Sequence, residues 1–105
     1  MSKYLVTYIG GATPETTTQA ERETIMKAWM DWFGSLGEAV VDIGNPTGPA
    51  RTVRPGGEVS DDGLGITGYS IISADSLEAA ADACGRHPHL EAGGTITISE
   101  ALDVG

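Results

Sequence analysis

The sequence predicts an α+β fold, with four strands in one antiparallel sheet and two helices on one face. Three observations lead there. Short β-branched and apolar runs occur at 3–9, 38–44, 66–73 and 94–101. Two segments, 19–36 and 75–85, carry apolar residues at helical spacing. Each helix falls between two strands, so the chain reads βαβ and then βαβ, and each half returns its second strand parallel to its first by a right-handed crossover. Two such halves give the ferredoxin-like order βαββαβ. At 105 residues the chain is expected to be one domain, 1–105.

The first strand, Lys3-Tyr-Leu-Val-Thr-Tyr-Ile9, has two faces, Tyr4/Val6/Tyr8 and Leu5/Thr7/Ile9, and Gly10-Gly11 cut it. The first helix opens on Thr18-Gln19-Ala20-Glu21, a capping box in which the Thr18 hydroxyl and the Glu21 carboxylate exchange backbone N–H bonds. Ile25, Trp29, Trp32, Phe33 and Leu36 share one stripe, and Gly37 ends the helix. Glu38–Ile43 reads as a short second strand. Gly44-Asn45-Pro46-Thr47-Gly48-Pro49 reads as an ordered turn. The polar excursion 50–64 holds a weak hairpin, with Arg51–Arg54 against Glu58–Ser60 across Pro55-Gly56-Gly57. Ile66–Ser73 is the third strand. Asp75-Ser76-Leu77-Glu78 reads as a second capping box, followed by a stripe of Leu77, Ala80, Ala81 and Cys84 and a stop at Gly85. His87–Glu91 reads as a loop. The last strand puts Ile96 and Ile98 on one face and Thr95, Thr97 and Ser99 on the other.

Two helices cover only one face of such a sheet. A second copy packed on the other face would remove its apolar residues from water, so the expected assembly is a homodimer of the dimeric α/β-barrel type. A monomer with a polar open face is the competing expectation, supported by Thr95, Thr97 and Ser99.

Composition limits the partners. Fifteen acids against 6 bases give a net charge of -9, which repels phosphate backbones and anionic lipid. Nucleic acid and membrane surfaces are therefore not expected partners. No apolar run reaches membrane-spanning length, and the N-terminus shows no signal-peptide pattern. The single Cys84 allows no internal disulfide and fits a reducing, cytoplasmic setting. Gly63-Leu-Gly-Ile-Thr-Gly68 has dinucleotide-motif spacing but precedes a strand, so it lacks the helix N-terminus that binds phosphate. No cofactor is expected.

The candidate site residues are few. His87 and His89 are the only histidines. His89 is the candidate acid/base, because an imidazole titrates near neutrality. As a pair with Glu91 they are weak metal ligands, since Pro88 intervenes; an imidazole resting on the carbonyl end of the preceding helix is the structural alternative. Asp42 is either a general base or the anchor of the Gly44–Pro49 turn. Asn45 lies in that turn. Tyr8, Tyr69 and Ser70 lie on strands that are central neighbours in this topology, so they are expected to converge as ligand contacts or to pack across an interface. Met26, Trp29, Met30, Trp32 and Phe33 read either as plain core or as the lining of a pocket between helix and sheet, with Trp32 as the expected ligand contact. Asp31 reads as a solvated position and Cys84 as a core thiol. Strand-end loops would gather the polar site at His89, Asp42 and Asn45.

Four segments carry a family resemblance: Trp29-Met-Asp-Trp-Phe-Gly-Ser-Leu-Gly37, Val41-Asp-Ile-Gly-Asn-Pro46, Gly68-Tyr-Ser-Ile-Ile-Ser-Ala-Asp-Ser-Leu77 and Pro88-His-Leu-Glu-Ala-Gly-Gly94. Together they resemble the YCII-related proteins of the dimeric α/β-barrel superfamily, over nearly the whole chain. The resemblance implies the fold and the homodimer and little chemistry. Some relatives carry a proposed His–Asp acid/base pair, and one branch removes chloride from a chlorinated hydroxyquinol-type ring. The histidine those relatives place after the first strand has no counterpart here, because residues 10–24 contain none. The Asp-Gly-Pro-Phe signature of a sister branch is replaced by Asp62-Gly-Leu-Gly65. The expected function is binding of a small organic molecule, or cofactor-free proton transfer of the isomerase or lyase type, in a pocket at the sheet–helix edge. The alternative is a non-catalytic accessory or partner-binding dimeric domain.

Overall fold

Period-two alternation decides which side of the sheet faces the helices. In the computed structural model, which describes residues 1–11 and 17–104, strand β1 (Ser2–Ile9) buries Tyr4, Val6 and Tyr8 and leaves Lys3 and Leu5 exposed. Strand β5 (Ile66–Ala74) follows the same rule, with Gly68, Ser70 and Ile72 buried. On strand β6 (Thr95–Ala101), Ile96 and Ile98 pack against the core while Thr95, Thr97 and Ser99 are exposed, the two faces expected from the sequence.

With strand β2 (Val40–Pro46), these form a four-stranded sheet in the order β2-β5-β1-β6, and every neighbouring pair is antiparallel. The architecture is α+β and compatible with a ferredoxin-like fold. Residues 37–39 form a 3-10 turn, so the second strand starts at Val40 rather than residue 38. The excursion contains the expected hairpin, β3 (Thr52–Val53) against β4 (Val59–Ser60), closed by a 2.8 Å bond from Arg54 N–H to the Glu58 carbonyl.

Helix α1 (Gln19–Leu36) begins on the expected capping box: Glu21 N–H donates to Thr18 Oγ1 at 3.1 Å, and Thr18 N–H donates to the Glu21 carboxylate at 3.1 Å. Those bonds hold the Glu21 carboxyl below the usual carboxylate range. It ends at Gly37, whose φ of 56° lets its N–H reach the Phe33 carbonyl. Trp32 and Phe33 enter the core beside Tyr4, Val6, Tyr8, Ile72, Ala80 and Cys84. Asp31 is exposed and pairs with Lys27 at 3.2 Å, one turn earlier.

Helix α2 (Leu77–Cys84) is capped by Ser76, which accepts from Ala79 N–H at 3.1 Å. The expected box at Asp75 is therefore displaced by one residue, and the third helical position is Ala79, which has no carboxylate to complete it. The segment expected to be a loop is a short helix, α3 (Pro88–Glu91), with His87 as its cap and Pro88 at the first position. Proline fits there because that N–H would have no intrahelical partner. Among the described residues, no helix is long and apolar enough to cross a membrane.

Candidate functional site

A cavity of about 440 Å³ opens between α1 and the β1–β5–β2 part of the sheet. Met26, Trp29, Met30 and Phe33 of α1 form one wall. Tyr8, Asn45, Tyr69 and His89 also line it. Arg22 stands at the same cavity, with its guanidinium donating to the Thr17 carbonyl at 2.9 Å. The size and the mainly apolar lining, with few polar groups, are those of a small-molecule site.

Tyr8 and Ser70 do converge across the central strand pair, with Tyr8 Oη 2.8 Å from Ser70 Oγ. Ser70 Oγ also lies 2.7 Å from the Ile43 carbonyl oxygen. A carbonyl only accepts, so the single Ser70 proton goes to Ile43 and Tyr8 must donate to Ser70. The Ile43 carbonyl is free for this bond because β2 bulges: Asp42 pairs with Ile71 and Asn45 with Tyr69, leaving Ile43 and Gly44 opposite the single residue Ser70. Burial pushes the Tyr8 phenol up to about 12, against the opposing effect of the Ser70 bond, so Tyr8 stays neutral.

We expect Ser70→Ala to cost about 2–3 kcal/mol, because it orphans the Tyr8 hydroxyl and the Ile43 carbonyl together. Tyr8→Phe should cost only about 1 kcal/mol, since Ser70 keeps its bond to Ile43. Urea denaturation of the two variants would check the order; equal losses would contradict the assigned proton direction.

His89 sits on α3 with 6% of its surface exposed. Its Nε2 lies 3.1 Å from the Ile9 carbonyl oxygen at the end of β1, so in the neutral ring the proton stands on Nε2. Tyr8 and His89 are adjacent, with ring centroids 5.3 Å apart in an edge-on arrangement. Asn45 borders the same cavity and donates through Nδ2 to the Tyr69 hydroxyl at 3.4 Å.

Two expected site residues lie elsewhere. Asp42 is exposed and does not line the cavity; its Oδ1 accepts from Gly44 N–H at 2.8 Å, which anchors the bulge. It thus takes the turn-anchoring role rather than joining Asn45 and His89. Trp32 is a core residue whose indole N–H donates to the Ala83 carbonyl at 3.0 Å, while Trp29, one residue type at another helical angle, faces the cavity. A helical stripe identifies the buried side but does not say which of two tryptophans meets an open space.

Nothing in the sequence around His87 marks it as buried. Its residue is 1% exposed, enclosed by Trp29 and Trp32 with ring centroids at 4.3 Å each, and by Tyr8 at 4.9 Å. Its Nδ1 accepts the His89 N–H at 2.9 Å, capping α3. The imidazole is therefore at a helix start, where a neutral acceptor is needed, and not at a helix end, where a cation is favoured. Burial, and secondarily the neighbouring His89, pushes its pKa down to about 4. With Nδ1 accepting, the neutral ring carries its proton on Nε2, which has no hydrogen-bond partner. Among the described residues no group of three ligating side chains comes together. Cys84 is buried, and burial raises its thiol to about 11, as suits a core residue rather than a nucleophile.

A second, more polar concavity of about 480 Å³ adjoins this cavity, sharing Thr17, Ile25 and Ala92; Glu21 and Glu91 line it and His89 does not. In comparison with known proteins, no family model matches the chain and no curated protein matches it significantly.

Proposed function

We propose that the protein binds a small, mainly apolar organic molecule in the cavity between α1 and the sheet. The observation behind this is the convergence of Tyr8, Asn45 and His89 on an aromatic-lined space of about 440 Å³. If the bound molecule reacts, His89 is the group suited to accept or return a proton without a cofactor, because its ring is oriented by the Ile9 carbonyl. A thermal-shift screen of small aromatic and carboxylic compounds tests this: a ligand at 100 times its Kd stabilises the fold by about 2.7 kcal/mol. A complete lack of stabilisation across such a screen would leave a purely structural dimer as the better reading.

We further propose that the chain is a YCII-related domain and a cytoplasmic homodimer of the dimeric α/β-barrel type. The residue segments quoted above support the family, and the lone buried thiol of Cys84 fits a reducing compartment. The open sheet face supports the dimer. Leu5 is 39% exposed there and pairs in register with Ile71, flanked by Lys3, Thr7 and Ser99. Light scattering is expected to give twice the 10.9 kDa chain mass, and Leu5→Arg to halve it. A wild-type protein of about 11 kDa at micromolar concentration would end the dimer proposal.

A further inference from the structure

We infer that the His89 imidazole is a fixed hydrogen-bond acceptor, open at Nδ1, so that the cavity selects small aromatic molecules bearing an N–H or O–H donor over isosteres without one. This rests on reading the cavity as a ligand site and adds the chemical class of the ligand.

The lock on Nε2 is the first ground. That atom is committed to the Ile9 carbonyl, so the neutral ring can offer a ligand only the lone pair of Nδ1. Nδ1 has no hydrogen bond among the described residues. His89 keeps 6% of its surface exposed. His89 itself lines the aromatic cavity.

Two glycines close around the ring and supply the second ground. A Cβ at Gly94 would overlap Nε2 and come within 2.6 Å of Cδ2. Gly94 does not have a positive φ, so its backbone would accept alanine; the imidazole is what excludes a side chain. Its neighbour Gly93 shows the contrast, with a φ of 85° and nothing within 4 Å of a built Cβ. Gly11 repeats the close approach, with a built Cβ 2.6 Å from Cε1 and 3.0 Å from Nδ1. A side chain at either position would displace the ring from its place beside the Ile9 carbonyl.

The third ground is Tyr8. Its proton is committed to Ser70, so toward a ligand the phenol oxygen also only accepts. Tyr8 and His89 both line the cavity, and with these protons committed neither ring has one to offer a ligand, which favours a ligand that donates.

Indole and benzofuran provide the test, because they share size and shape and differ at the N–H. Calorimetric titration of the full chain is expected to show indole binding about tenfold tighter, the worth of one good hydrogen bond. Nitrogen NMR at pH 8 should show His89 with its proton on Nε2, and indole should move the Nδ1 resonance. His89→Phe keeps a ring and removes Nδ1, so it should bind both molecules equally. Gly94→Ala should displace the ring and abolish the preference; if that variant does not fold, the His89→Phe comparison still decides. Equal affinities in the wild type, or a proton on Nδ1 of His89, would overturn the inference while leaving the ligand site standing. Binding of neither molecule would overturn the ligand-site reading and this inference with it.

Discussion

Gly44→Ala is expected to destabilise the fold by about 4 kcal/mol or more, which is a large part of the total for a domain of this size. Gly44 has a φ of 80°, and a Cβ built there would overlap the Tyr69 carbonyl oxygen and stand 2.7 Å from its carbonyl carbon. These are backbone atoms of the neighbouring strand, so no side-chain rotation relieves the overlap. The bulge would have to open, breaking the Ser70 bond to Ile43 and the Asp42 bond to Gly44 with it. The Tm should fall by on the order of 15 °C. Gly57→Ala is the control: its φ is 88° but nothing lies within 4 Å, so only backbone strain of about 1–2 kcal/mol should appear. If the two variants lose the same stability, the close approach at Gly44 has been misjudged.

The second large effect belongs to His87. Truncation to alanine removes a buried ring from between Trp29 and Trp32 and takes the cap from α3, and about 3–5 kcal/mol is expected to go with them. The same residue makes stability depend on acid. In the unfolded chain His87 takes up its proton near pH 6.5, and in the folded chain only near 4. Between these values the unfolded state holds more protons, so stability rises with pH there. The contribution is complete above pH 6.5 and is lost progressively as the pH falls toward 4, by about 3 kcal/mol at most. His87→Asn keeps a capping acceptor and removes the titration. Urea titrations at pH 7.5, 6 and 5 should show a flatter profile for that variant than for the wild type, and parallel profiles would refute the assignment. In the folded chain the ring stays neutral across this window, so its cap on α3 persists until the pH approaches 4.

Much of the architecture was legible because it depends on local rules. Tyr4, Val6 and Tyr8 alternate, so they had to share a face of β1. Thr18 and Glu21 are spaced for a capping box, and they form it. Arg54 and Glu58 flank two glycines, and the chain turns back there. The places where such reading failed were also local, but ambiguous. Asp75 and Ser76 are both good caps, and choosing between them depends on where α2 packs. His87-Pro88 is a helix start when an imidazole can serve as the cap, which requires the ring to be buried and neutral.

The α+β class, the order of the four sheet strands and the two long helices, the inward face of β1 and the residues from which a pocket would be drawn follow from periodicity, caps and turn residues, which act over a few positions. Which of those residues meet follows from packing between distant segments. Trp29 lines the cavity, while Trp32 is buried in the core with its indole N–H on the Ala83 carbonyl. Asp42 turns to its own bulge because Gly44 offers an N–H two residues away, closer than any distant partner. His89 reaches the carbonyl of Ile9, 80 positions earlier in the chain, because Gly11 and Gly94 leave room for its ring. A contact across that separation depends on strand pairing and the space beside it, and no local pattern encodes either.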